Sequence, residues 1–182
     1  MAAPESLLVW HYTTGDCLES ILADGEIRVA FEGVDGENFD ASALEELGRR
    51  GLSTPTARVG MTEKPAVWFS TRITFEPTAL KGIVVGGGRR SATLDEMERL
   101  AGGLVRIGVR ADLVRVGWAF HTKRGGLSRK TALSLVRAAK GVGADPSDWR
   151  VHYGPVPRSM WSRVQVWRAP AWVDHAAMKA GA

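Results

Sequence analysis

Leu7-Leu8-Val9-Trp10-His11-Tyr12, followed by Thr13-Thr14-Gly15-Asp16, is the stretch whose reading decides the fold. The apolar, β-prone run reads as a strand, and the hydroxyl, glycine and acidic residues after it read as its break. Alternation puts Trp10 and Tyr12 on one face and Val9 with His11 on the other. Asp16 stands where a helix cap belongs, and Leu18, Ile21 and Leu22 then recur at helical spacing. Cys17 falls on the apolar side of that helix and reads as a buried, inert thiol. Gly25 closes the helix, and Glu26 to Phe31 reads as a second short strand.

Outward from this unit, the segment 32–64 is polar and Gly-rich, with a weak helix over 40–50, and is expected to be a lid or a surface insertion. Pro65 to Thr71 predicts a strand entered from a proline, and Gly82 to Val85 another. Gly86-Gly87-Gly88-Arg89-Arg90 resembles a phosphate cradle but lacks the Lys-Ser/Thr of a P-loop, so it reads mainly as a flexible loop. Thr93 or Ser91 is expected to cap a helix to about Leu100, and Glu96 stands three residues after Thr93, the capping-box spacing. Leu104 to Val109 alternates as a strand with one apolar face, and Leu113 to Phe120 reads as a second such strand. Ser128 to Lys140 predicts an amphipathic helix, with Leu133, Leu135, Val136 and Ala139 as its stripe. Trp149 to Tyr153 and Trp161 to Trp167 are the last strands. Strands early, middle and late with helices between them predict a single α+β domain over the whole chain.

Composition narrows the function classes. The 182 residues, 45% apolar and 24% charged, suit one soluble domain with a real core. Cys17 is the only cysteine, which excludes an internal disulfide and a Cys-rich zinc site. His11, His121, His152 and His175 show no metal-ligand spacing, so no metal is expected. A Gly-x-Ser-x-Gly elbow is missing as well. No apolar run approaches the roughly 18 residues of a membrane span. Met1 to Ser6 holds Glu5 and no basic run, so a cytoplasmic location is expected. The net charge is +4, with eighteen arginines against six lysines. That permits nucleic-acid or nucleotide binding without requiring it.

His11 sits where a strand hands over to a turn, beside Tyr12 and Thr13. Trp68-Phe69-Ser70-Thr71-Arg72 offers a second strand end with aromatic and hydroxyl groups. Trp10-His11-Tyr12-Thr13-Thr14, followed by Cys17 to Arg28, resembles the first motif of the ADP-ribosyltransferase superfamily. Val67-Trp68-Phe69-Ser70-Thr71 resembles its second, and Thr78-Ala79 the small residues after it. The form is closest to the diphtheria-toxin-like branch, which includes poly(ADP-ribose) polymerases and DNA-modifying toxins, and it also resembles RNA 2′-phosphotransferases. The resemblance implies a split, mixed β-sheet core with flanking helices, and NAD as substrate. It further implies that His11 bonds the NAD ribose and that the Tyr12 backbone and Ser70 hold the nicotinamide amide. Tyr12 or Phe69 would stack on the nicotinamide, Thr13 would stand at the same site, and Arg28 would meet the adenosine or phosphate half.

The third motif of that branch usually carries a glutamate on a late strand. Here Met160 to Trp167 contains no carboxylate, and Gln165 or Arg163 stands in its place, both on one face. Glutamine bonds a hydroxyl but carries no charge, and arginine suits a phosphate. His11, Ser70, Gln165 and Arg163 are therefore the expected catalytic set. Glu63 and Glu76, which flank the Trp68 strand, are the next places for an acid. The expected activity is transfer of ADP-ribose from NAD to a protein or nucleic-acid acceptor. An RNA 2′-phosphotransferase-like enzyme is the alternative. So is a non-catalytic nucleic-acid-binding module using Arg89, Arg90, Arg124, Arg129 and Lys130.

Overall fold

A computed structural model describes residues 4–29 and 64–176. The expected lid at 32–64 lies outside the described residues apart from Lys64 at its end, as does Glu63.

β1 (Leu8–Thr14) runs into α1 (Gly15–Asp24), which ends at left-handed Gly25 (φ 71°) and leads to β2 (Glu26–Ile27). The helix cap is Thr14 rather than Asp16, which falls inside the first turn and there favours the helix dipole. Cys17 is exposed, because only Leu18 of this short helix is fully buried, so the buried-thiol reading is corrected. β3 (Ala66–Ser70) follows, then the hairpin β4 (Gly82–Val85) and β5 (Gly88–Ser91). Gly86 (φ 58°) and Gly87 (φ 80°) are the two central residues of that hairpin, the left-handed pair that a two-residue turn demands. The Gly-rich stretch is thus a tight turn, and its glycines answer to the backbone.

Thr93 caps α2 (Leu94–Ala101) with the full capping box to Glu96. β6 (Leu104–Arg110) follows, then β7 (Val116–Gly117), α3 (Trp118–Arg124) and α4 (Arg129–Gly141), the last capped by Ser128. Of the strand expected over 113–120 only Val116–Gly117 is strand, and Trp118 to Phe120 instead open α3. β8 (Trp149–Tyr153), β9 (Val156–Pro157), β10 (Trp161–Arg168) and β11 (Ala171–Asp174) are the last of the described strands.

The class is α+β, as expected. Among the described residues seven strands form one sheet in the order β11-β10-β6-β1-β3-β8-β7, and every pairing seen in it is antiparallel, where the resemblance implied a mixed sheet. β6 pairs β1 along all seven residues of each, and β3 pairs β8 along five. Between β1 and β3 the register holds a single pair, Trp10 with Ser70. The sheet is therefore two halves hinged on one residue pair, and a cleft opens where the ladder stops.

One face of the β1 half carries Val9, Val105, Ile107, Val109 and Val164 against α1, β2 and β9. The other carries Leu104, Tyr12, Trp167 and Trp172 against α2 and the hairpin. β6 is buried on both faces, so the expectation of one apolar face fails at Arg106, which is 1% exposed. Its guanidinium lies 3.8 Å from the Trp10 ring and 4.4 Å from the Trp172 ring. It donates to Gln165 Oε1 at 2.8 Å, to the Ile73 carbonyl and to Glu5. A buried cation is tolerated because rings and acceptors surround it.

Candidate active-site cleft

The cleft at the β1/β3 split has a volume of about 640 Å³, within the range of small-ligand sites. β1 supplies Trp10, His11 and Tyr12, and β3 supplies Trp68, Phe69 and Ser70. Glu76 and Lys81 come from the connection after β3, and Leu135, Ala138 and Trp149 close the far wall.

His11 bridges the diverging strands. Its Nδ1 lies 2.9 Å from the Trp68 carbonyl. A carbonyl only accepts, so Nδ1 carries the proton and donates. Burial pulls the imidazole below its ordinary value against the lift from that bond, and the Lys81 charge lowers it further. The ring is thus neutral at pH 7, with Nε2 as an acceptor that has no partner among the described residues. Phe69 meets it edge-on at 5.9 Å between centroids. Tyr12 donates from its hydroxyl to the Arg72 carbonyl at 3.1 Å, and burial raises that phenol to about 12.

Ser70 is 1% exposed, and its Oγ donates to Glu76 Oε2 at 2.8 Å while accepting from the Arg72 amide at 3.2 Å. Glu76 is 5% exposed, and its Oε1 takes the Thr78 hydroxyl and amide at 2.8 and 3.3 Å. This carboxylate was legible only as a residue flanking β3. The structure brings it into the cleft and ties it to the second motif. Lys81 and Trp149 were missed, since nothing in their local sequence marks them. The Trp10 indole N–H is buried in the same wall and has no hydrogen-bond partner among the described residues.

Four expected site residues fall elsewhere. His11 and Ser70 do line one cleft, but the pleat turns them to opposite faces, since Ser70 pairs with Trp10. Gln165 and Arg163 share a face, as expected, yet neither lines the cleft. β6 stands between their strand and β1, and their polar groups are engaged by Arg106, Asp174 and Glu5. Arg28 is exposed and pairs with Asp24 at 3.1 Å, also away from the cleft. Thr13 stands on β1 beside the site without lining it. Of the expected basic surface, Arg90 is held by Glu96 and Arg124 lies over Phe120.

Among the described residues no group of three or more His, Cys, Asp or Glu side chains could hold a metal ion, and no helix is long and apolar enough to cross a membrane. No protein-family model matches the chain, and no curated protein matches it.

Proposed function

We propose that the split-sheet cleft binds NAD as a substrate and that the protein transfers its ADP-ribose to a protein or nucleic-acid acceptor. One observation carries this reading. His11, Tyr12, Phe69 and Ser70, from two motifs over fifty residues apart in sequence, line a single cleft where β1 and β3 part.

The chemistry fits these groups. The nicotinamide–ribose C–N bond breaks with its electron pair going to the ring nitrogen, and C1′ becomes oxocarbenium-like. The acceptor attacks C1′ and gives up a proton. Such a step asks for orientation and for negative charge near C1′ more than for a strong base. A neutral His11 with a free Nε2 accepts from a ribose hydroxyl. Tyr12 or Phe69 offers an aromatic ring to the nicotinamide. Glu76, held through Ser70, supplies the negative charge that the late strand lacks.

Calorimetric titration of NAD tests the binding, and nicotinamide release tests the reaction. His11→Ala is expected to weaken NAD binding by about 0.5–1.5 kcal/mol, the worth of one hydrogen bond. No binding at millimolar NAD overturns the reading. Lys81, a cleft cation without an ion-pair partner among the described residues, favours a second reading, the 2′-phosphotransferase. Under it, the same titration still shows NAD binding, and RNA bearing a 2′-phosphate loses that phosphate in the presence of NAD.

A further inference from the structure

We infer that the protein carries a second binding site, for the phosphate backbone of a single-stranded nucleic acid, in the groove between β7, α3, α4 and the turn before β8. The groove has a volume of about 590 Å³ and holds Arg115, Lys140 and Arg150, with Trp118 on its wall. The inference goes beyond the transferase reading and does not depend on it.

The state of the charges sets this groove apart. Several arginines elsewhere pair with carboxylates, as Arg90 does with Glu96, Arg110 with Asp112 and Arg168 with Glu98, and here three cations without such a pair line one groove. Arg115, Lys140 and Arg150 have no carboxylate at ion-pair distance among the described residues. Backbone carbonyls position the two arginines instead. Arg115 Nε donates to the Asp112 carbonyl at 2.6 Å, and Arg150 Nη1 donates to the Ser147 and Trp149 carbonyls at 2.7 and 2.8 Å. A carbonyl fixes a guanidinium without cancelling its charge, and the remaining N–H groups stay free for a phosphate. Asp145, the carboxylate in the groove wall, accepts from the Ser147 amide at 2.9 Å and caps the turn before β8; its charge is felt by Lys140 but makes no ion-pair contact with it.

Trp118 decides the ligand class. It is half-buried and held edge-on by Trp149 at 5.2 Å and tilted against Trp68 at 6.1 Å. A fixed ring beside cations outside ion-pair contact combines base stacking with phosphate contacts, which is what an unpaired strand needs. A free phosphate makes no use of the ring, and a duplex keeps its base faces stacked away from it. The same three rings also connect the two sites. Trp68 and Trp149 line the cleft and Trp118 lines the groove, so the two share one aromatic wall.

The test is fluorescence anisotropy of a labelled oligothymidylate across a tenfold range of salt. Three phosphate contacts predict a log–log slope of about −2, or roughly 100-fold weaker binding at the high end. Arg115→Gln and Lys140→Gln, both at exposed positions, are each expected to flatten the slope by about 0.7. Trp118→Leu is expected to weaken binding with the slope unchanged. NAD titration of the Arg115 and Lys140 variants is expected to match the wild type, which separates this site from the cleft. Failure to bind the oligomer at low salt overturns the inference. So does an unchanged slope in the Arg115→Gln, Lys140→Gln double variant, or equal binding of polyglutamate, which would make the groove an acidic-protein surface. Loss of NAD binding alone would overturn the cleft reading and leave this one standing.

Discussion

Ser70 Oγ donates to Glu76 Oε2 at 2.8 Å, linking the last residue of β3 to the turn that follows it, with both side chains buried. Glu76 itself lines the cleft, and under the proposed transfer its contribution there is its negative charge. Glu76→Gln keeps the size of the side chain and an oxygen for Ser70 but removes the charge. The expected outcome is a nicotinamide-release kcat lowered about tenfold or more, ~1.4 kcal/mol, with the NAD dissociation constant little changed. A purely structural Glu76 would lower the melting temperature and leave kcat per folded molecule intact. Steady-state kinetics beside calorimetric melting distinguishes the two.

His11 gives the fold a pH dependence of defined sign. Its folded-state pKa lies below the ordinary histidine value of about 6.5, chiefly through burial. Below about pH 6.5 the unfolded chain therefore binds more protons at this residue than the native one. The stabilisation is fully present above pH 6.5 and declines as pH falls through that value toward the folded pKa. Melting temperatures from pH 7.5 down to 5 are expected to fall more steeply in the wild type than in His11→Gln. Parallel curves would show that the ring titrates as it does in the unfolded chain.

The elements that sequence patterning revealed are those whose local chemistry matches their tertiary role. β1, β3, α2 with its Thr93–Glu96 box, and α4 with Ser128 as cap all fall within a residue or two of expectation. The failures have physical causes. Trp118 to Phe120 is apolar enough to extend a strand, but in the fold these residues begin a helix in which Trp118 packs on Trp68 and Trp149. Arg106 reads as the polar side of an alternating strand, because nothing local shows that Trp10 and Trp172 will enclose it. In the site, the two motif strands were legible because strand ends carry their own signature. Glu76 and Lys81 reach the cleft only through the path of the chain after β3. Gln165 looked available because its partners, Arg106 and Asp174, are distant in sequence or on the following strand.

The Gly86-Gly87 turn offers a test of the phosphate-cradle reading. Both residues have positive φ, which asparagine accepts far better than alanine does. Gly86→Asn is expected to change stability by a few tenths of a kcal/mol, and Gly87→Ala to cost about 1 kcal/mol. Neither is expected to change NAD binding, and neither is Arg89→Ala. A loss of affinity in Arg89→Ala with melting unchanged would return the hairpin to the site.

Gln165 separates a catalytic late strand from a structural one. Its Oε1 accepts from Arg106 Nε at 2.8 Å and its Nε2 donates to Asp174 Oδ1 at 2.9 Å, so the amide joins β6, β10 and β11 by a side-chain relay. Gln165→Ala leaves a buried guanidinium N–H without its acceptor, a loss of about 1–3 kcal/mol of stability. Gln165→Glu keeps an acceptor for Arg106 but sets a carboxylate against Asp174, and like charges so close weaken the β10–β11 edge. Each variant is therefore expected to lower the melting temperature while leaving NAD affinity and turnover per folded molecule within about twofold of wild type, under ~0.5 kcal/mol. Arg163→Ala, which removes only the contacts to Glu5 and Asp174 at a partly exposed site, is expected to cost less, about 0–1 kcal/mol. Turnover that falls at least tenfold in Gln165→Ala and recovers in Gln165→Glu would instead make the late strand the third wall of the site, with Glu76 left to hold the turn after β3.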